Sequence, residues 1–401
     1  MSSQSFRRRA EKLGHSIAAL DGGAMITSKI AVPNIDELKK LLDEGTDPAH
    51  RRQLAEDLFG GIPTTDPHQD ASEGGILRRV EAFLYGDAPL SDVDRVRIKA
   101  LFPLEITAIS QDTMTVTSQK DLGTSGNLLI VNVDTLDIEE GGFITIQNTP
   151  LQFTAGTLIR NGSAPSPYSD FNIFGATGAV GTAGSAGGLG GGGTAGTHGT
   201  CRSPGVAGDA GGPGSNGLTG AAGTTGGQGG DGLPSMVATI SIGAFSGSAT
   251  AISLLTRSGT GGAGGTGGAG GMGGPGGDGG PGESCGCEGT NGGSAGSGGA
   301  GGQGGNGGNG GNGVDAAGNI VVYTPSGQTN MIFPITAAAP PGQSGAPGAG
   351  GPGGSPGNPG NGGKHASGGG HGQTGGAGST GAFGNAGTVS GSPAQVLVKT
   401  Q

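Results

Sequence analysis

Residues 259–282 read GTGGAGGTGGAGGMGGPGGDGGPG, a stretch in which glycine returns at every third position and a second glycine joins each triplet. Outward from it the same register holds over three long runs. From Gly259 to Gly313 it is kept at 17 of 19 positions, with Glu283 and Ala295 as exceptions. From Gly175 to Gly232 it is kept at 19 of 20, broken by Arg202, and from Gly342 to Gly387 at 15 of 16, broken by Ala366. The runs begin 84 and 83 residues apart, so the C-terminal half is three copies of one unit.

A strict period of three matches the left-handed extended helix with three residues per turn and a rise of ~3.1 Å per residue. Such a helix makes no internal hydrogen bonds, so a buried copy must send its N–H and C=O groups to neighbours. A face without side chains lets a second backbone come close enough to take them. Each run is interrupted near its middle, at Cys201-Arg202-Ser203-Pro204, at Glu283 to Glu288 and at Lys364 to Ser367. Each therefore reads as an antiparallel hairpin with arms of about eight triplets, or ~75 Å when fully extended. A second glycine is common in the triplets of the second run and scarce in the other two. Two bare faces imply two close neighbours, which places the second hairpin between the first and third.

Composition divides at the same boundary. Of 98 glycines, 83 lie in residues 175–401, together with only ten of the 50 Asp, Glu, Lys and Arg side chains. A disordered tail would carry more charge, and a collagen triple helix would carry far more proline. The net charge of −10 argues against nucleic-acid binding, and the arginine pairs of residues 1–102 are interleaved with acidic side chains. No apolar run is long enough to span a membrane. Arg7, Arg8 and Arg9 are followed by no apolar h-region, so no signal peptide is read.

The rest of the chain divides into a helical module and a β region. Residues 1–102 read as a small all-α assembly or docking module, with capping boxes at Asn34/Glu37 and Ser91/Asp94 and a helix opened by Asp47-Pro48. Residues 103–174 switch to a period of two, with short strands at 105–107, 114–116, 128–133, 143–146 and 158–159 that look like rungs of a β-solenoid. In 175–401 the hairpins 175–232, 259–313 and 342–387 are joined by apolar β connectors at 233–258 and 314–341, and residues 388–401 close the chain with a strand. The fold class expected is thus a small helical module, a β-rich middle and a bundle of extended glycine helices.

On these repeats the chain resembles the glycine-rich snow-flea antifreeze proteins and the distal tail-fibre adhesins of T-even-like phages. Strings such as Gly-Gly-Ala-Gly-Gly-Thr and Gly-Gly-Asn-Gly-Gly-Asn also look like mycobacterial PGRS tracts. The resemblance covers roughly residues 175–390, and it implies packed glycine helices and, for the adhesins, recognition loops at one tip. Residues 1–102 match no module of these families.

The polar residues that stand out are in the breaks. Cys201, Cys285 and Cys287 lie in the first two, and three readings of them stay open: a disulfide from Cys201 to Cys285 or Cys287, free thiols, or a structural zinc site of Cys201, Cys285, Cys287 and His365. Arg202, Glu283, Glu288 and Lys364 supply four of the ten charges in residues 175–401, and with His365 they are the candidate recognition tips. The many Gly-x-Gly-x-x-Gly matches are products of the repeat, and Lys364 closes no phosphate loop because His365 stands where Ser or Thr is needed. No catalytic constellation and no cofactor site is read. The expectation is a non-enzymatic extracellular, cell-surface or virion-associated protein. It forms a fibre or shows its tips to a surface or glycan ligand, and residues 1–102 mediate self-association or attachment to a particle. The alternative is ice binding through the Thr- and Ala-rich face of the first run, with Thr177, Thr182, Thr194, Thr197, Thr224 and Thr225.

Overall fold

A computed structural model describes residues 3–43, 48–60, 73–86, 88–124, 126–248 and 251–401. The elements in the first hundred residues are α1 (Ser3–Lys12), α2 (Ile17–Asp21), β1 (Ile26–Val32), α3 (Ile35–Leu42), α4 (Pro48–Phe59), α5 (Glu73–Tyr85) and α6 (Asp92–Ile98). The Asn34 and Ser91 side chains accept from the backbone N–H groups of Glu37 and Asp94, at 3.0 and 3.1 Å, and so start α3 and α6. Asp47, expected to start α4, lies outside the described residues. This segment is not all-α, because β1 pairs antiparallel with the first long strand beyond it.

Eight strands follow up to the break of the first glycine run: β2 (Leu104–Val116), β3 (Gln119–Gly123), β4 (Leu129–Ile138), β5 (Phe143–Gln147), β6 (Leu151–Arg160), β7 (Phe171–Phe174), and, at the break itself, the small pair β8 (Cys201–Ser203) and β9 (Val206–Ala207). Between the first and second runs come β10 (Ala238–Ile242), β11 (Phe245–Gly247) and β12 (Ile252–Arg257), between the second and third β13 (Ile320–Thr324) and β14 (Ile332–Ala337), and after the third β15 (Val396–Thr400). One sheet runs β1-β2-β4-β6-β10-β13-β15, with β11 beside β6, and a second runs β14-β12-β7-β5-β3. All pairs in these two sheets are parallel except β1–β2. Successive turns of chain place equivalent residues in line: Leu129 pairs with Leu151, Leu151 with Ala238, Ala238 with Ile320 and Ile320 with Val396.

The main hydrophobic core lies between the two sheets. Val131, Leu136, Ile144, Phe153, Phe171, Ile240, Leu254 and Val322 are all buried in it. The helices cover the other face of the larger sheet through Leu38, Leu42, Ile106 and Ile130, and through Leu58 against Val321 and Tyr323. Arg160, 1% exposed, ion-pairs with Asp170 at 2.7 Å and donates to the carbonyls of Ile138 and Asn161. Asp170 in turn accepts from the backbone N–H and hydroxyl of Ser253 at 2.7 and 2.9 Å. One buried ion pair therefore ties three successive turns together.

The expected fold class is corrected by this core. Among the described residues, six α-helices that all lie in the first hundred and a large sheet of mixed parallel and antiparallel strands make the chain a mainly α/β fold, not a glycine-helix bundle. Apolar burial decides the difference. The connectors around 238–257 and 320–337, though short, carry side chains that leave water. Glycine tracts have almost none to bury. The strands at 105–107 and 114–116 also merge into the single β2, and β6 begins at Leu151 instead of 158, because Thr and Ser on the pleat interrupt the apolar count without ending the ladder.

Apart from the small β8–β9 pair, the glycine tracts contain neither helix nor strand and lie as extended backbone in three layers attached to the sheets. Gly175 N–H donates to Arg257 C=O just beyond the Phe174–Arg257 pairing of β7 with β12, so the sheet ladder continues into the tract. From there Gly178, Gly181 and Gly184 donate to Thr260, Ala263 and Thr266. Gly264 and Gly267 of the second tract donate to Gln343 and Ala346 of the third, so the second tract lies between the other two. Within each tract the two arms are antiparallel, as in Gly212 to Thr197, Gly293 to Gly280 and Gly369 to Gly360. A Cβ on Gly302 would stand 2.0 Å from the Ala221 carbonyl oxygen, whereas one on Gly376 would meet nothing within 4 Å.

Gly302→Ala is therefore expected to destabilise the chain by several kcal/mol, in the range of an unrelieved overpacking clash, while Gly376→Ala changes stability by less than about 1 kcal/mol. Urea denaturation of the two variants checks the contrast. A second expectation concerns α5, where burial pushes the Glu81 carboxyl from its ordinary 4.5 up to about 7 against the pull of Arg78. The folded state then holds the proton more tightly than the unfolded chain, so the stability this group contributes is full below pH 4.5 and falls as pH rises to 7. Glu81→Gln should flatten that decline and raise stability above pH 7 by about 1–2 kcal/mol, screening of this half-buried group included. Melting curves between pH 4 and pH 8 measure it.

Candidate recognition tip

All three breaks in the glycine register meet at the end of the layers away from the sheets. In the first, Gly205 adopts φ +85° and turns β8 back onto β9. In the second, Ser284 and Gly289 form an antiparallel bridge, and Cys285 N–H donates to Glu288 C=O at 2.7 Å. The turn between them needs Gly286, at φ +96°, a conformation a side chain would strain. In the third, Ala366 N–H returns to Gly363 C=O at 3.0 Å and His365 sits at φ +60°.

Three kinds of bond hold the breaks together. Cys201 and Cys285 form a disulfide across a Cα–Cα distance of 5.6 Å, joining residues 84 apart in sequence. Beside it Gly205 N–H donates to the Cys285 carbonyl. Ser284 Oγ accepts from Lys364 N–H at 3.0 Å, and Thr290, 4% exposed, gives its carbonyl to Gly363 N–H and its hydroxyl oxygen to Glu283 N–H at 2.8 Å. The first break is thus fastened covalently to the second, and the second by hydrogen bonds to the third.

The candidate residues fall into two groups. Cys285 is buried, while Cys201, Arg202, Glu283, Cys287, Glu288, Lys364 and His365 are exposed, as are His198 and His371. Cys287 is a free thiol. Two sulfurs bonded to each other are not thiolate ligands, so the four-residue zinc set of Cys201, Cys285, Cys287 and His365 does not exist in this state. Among the described residues no group of three or more His, Cys, Asp or Glu side chains is arranged to hold a metal. The charged side chains stand exposed on a fixed frame of backbone.

Several residues that build the tip are missed by motif reading. Ser284 and Thr290 carry no recognisable pattern, although they sit next to register breaks where backbone N–H groups lose their partners. The same logic extends down the layers, where side chains on one edge cap the N–H groups of the next layer. Asn216 Oδ1 accepts from Ser297 N–H, Ser297 Oγ from Gln373 N–H, Asn306 Oδ1 from Ala382 N–H and Asn309 Oδ1 from Asn385 N–H. The run of Gly-Gly-Asn triplets after residue 303 is the sequence trace of this edge.

Comparison with protein-family models, with curated proteins and with solved structures gives no match. Among the described residues no helix is long and apolar enough to cross a membrane.

Cysteine chemistry supplies a direct check. The native chain should take up one equivalent of a maleimide, at Cys287, and three after unfolding in reductant. Cys201→Ser should leave the sheets intact and raise amide exchange in residues 201–207 and 283–290 by tenfold or more, as read by hydrogen–deuterium mass spectrometry.

Proposed function

We propose that the chain is a non-enzymatic, extracellular or particle-associated protein that displays a rigid tip for recognition of a surface ligand. The observation that carries this reading is the tip itself. Loops from three tracts are drawn to one end, held by a disulfide and by hydrogen bonds, and they present Arg202, Glu283, Glu288, Lys364 and His365 outward. A fixed set of mixed charges loses little entropy when it binds, which favours contact with a polar or glycan surface. The disulfide also fits an oxidising compartment.

The opposite end supports attachment. Leu77, Val93, Val96 and Leu101 of the helical segment are 57–72% exposed, an apolar set available to a carrier particle or a second subunit. An ice-binding reading draws on one observation, the exposed threonines Thr177, Thr182, Thr194, Thr197 and Thr225 on the first layer. Thr224, in the same set, already gives its hydroxyl oxygen to Ser185 N–H at 2.7 Å.

Binding to an array of immobilised cell-surface glycans, and to intact bacterial cells, tests the tip. Joint substitution of Arg202, Glu283, Glu288, Lys364 and His365 by Ala should cut bound protein at least tenfold with the melting curve unchanged. Undiminished binding by that folded variant would end the tip reading. Thermal hysteresis that survives the same substitutions would shift the assignment to the first-layer face.

A further inference from the structure

Adjacent layers exchange hydrogen bonds in both directions, through one row of donors that faces the next layer and another that faces the previous one, as where Gly262 and Gly265 of the second layer donate to Gly230 and Gly227 of the first. Gly178 and Gly181 of the first layer donate to Thr260 and Ala263 of the second, and Gly261 and Gly264 of the second donate to Pro340 and Gln343 of the third. The pairs across each hairpin align the copies, since Gly230 donates to Ala179, Gly311 to Gly262 and Gly384 to Gly345. By this alignment the next donors, on the outer face of the third layer, would be residues 344, 347, 350, 353, 356 and 359. Three of the six are Pro347, Pro356 and Pro359, which have no N–H to give. On the other arm the equivalent places, glycine in the first layer, hold His371, Thr374, Ala377, Thr380 and Phe383, all exposed.

The outer face of the first layer is blocked in another way. Where the second and third layers turn a bare Gly262 or Gly345 toward the carbonyl of the layer beside them, a Cβ would lie 2.0 Å from that oxygen. The first layer has Ala179 at this place, and along the same row it has Thr182, Ser185, Thr194 and Thr197. Every one of these side chains would collide with a layer added below. The middle layer therefore keeps glycine in both phases, whereas each outer layer keeps it without a break only in the phase that faces the middle layer and interrupts the other with side chains, leaving Gly188 and Gly191 in the first layer and Gly350 and Gly353 in the third.

We propose that the phase of the glycine register fixes the number of layers at three and seals both outer faces against a second copy of this chain, so that the protein works as a discrete unit and not as the repeat of a layered fibre. This deepens the display reading by choosing it over the fibre. It is tested without any ligand, so a failure of tip binding leaves it standing.

Two opened chains make the test. One replaces Pro347, Pro356, Pro359 and the five other-arm side chains by Gly. The other replaces Ala179, Thr182, Ser185, Thr194 and Thr197 by Gly, with Ser215, Leu218, Ala221 and Thr224 on the facing arm. In sedimentation velocity under reducing conditions with Cys287 alkylated, the unaltered chain and each opened chain should not stack through the layers, whereas their equimolar mixture should double in mass. Layered rods formed by the unaltered chain, or a folded mixture that does not associate, would overturn the proposal. Because added glycine raises the entropy lost on folding, a second pair of chains covers the case in which the opened chains do not fold. A second copy of residues 259–341 inserted after residue 341 should give a four-layer protein that melts within a few degrees of the original. The same insertion carrying proline at its Gly264, Gly273 and Gly276 should lose the added layer to proteolysis, and equal protection of both would also overturn the idea.

Discussion

The structure of the C-terminal half depends on how closely one backbone can approach another. Glycine N–H groups reach carbonyl oxygens of the next layer at 2.7–3.1 Å, and a Cβ at most register positions would fall about 2 Å from such an oxygen. No rotamer change relieves that contact, because the obstacle is backbone on both sides. The period of three follows from this. A segment surrounded by other segments must be bare wherever it faces one, and it can carry a side chain only where it faces solvent. Glycine's large conformational entropy in the unfolded chain is the opposing term, and it is offset by the hydrogen bonds of the N–H groups that face another segment.

Such layers bury little apolar surface, so something else must fix their positions. That role falls to the two sheets, whose strands are parallel and in register from one repeat to the next. Each tract leaves the smaller sheet at the same level, after β7, β12 and β14, and the hydrogen-bond ladder passes from period two to period three within a few residues. Arg160 and Asp170 act at the opposite ends of these strands, where Asp170 precedes β7 and Ser253 opens β12. Their buried pair, satisfied by carbonyls and by Ser253, holds consecutive turns at the spacing the tracts inherit. A buried ion pair is weak evidence for added stability, but removing one partner would leave the other charge without compensation.

The glycine register, the hairpin breaks and the capping residues Asn34 and Ser91 are all readable in the sequence, since each reflects a local rule. The fold class is not, because a small set of apolar residues far apart in the chain carries it. By length the glycine tracts dominate residues 175–401, while Ile240, Leu254, Val322 and their neighbours, few in number, form the core with β4 and β6 residues many positions away. Parallel pairing at that separation leaves no local signature. The strand β1 was hidden likewise, because Ile26, Ile30 and Val32 find their partners in β2 and not in the surrounding helices. At the tip the cysteines announce themselves, but the choice of Cys285 over Cys287 turns on which of two residues the Gly286 turn leaves buried. Ser284 and Thr290 are ordinary residues made important only by the backbone groups beside them.

The ladder that begins at Gly175 and Arg257 also has a mechanical meaning. Its bonds run across the arms, while the arms run from the sheets to the disulfide at the tip. A pull on the tip directed along the arms would load a whole row of these bonds together in shear, with no end bond exposed to be opened first. The same pull applied sideways would unzip them singly. A protein built this way resists tension along one axis far better than along any other, and that axis is the line from its sheet-and-helix base to its loops.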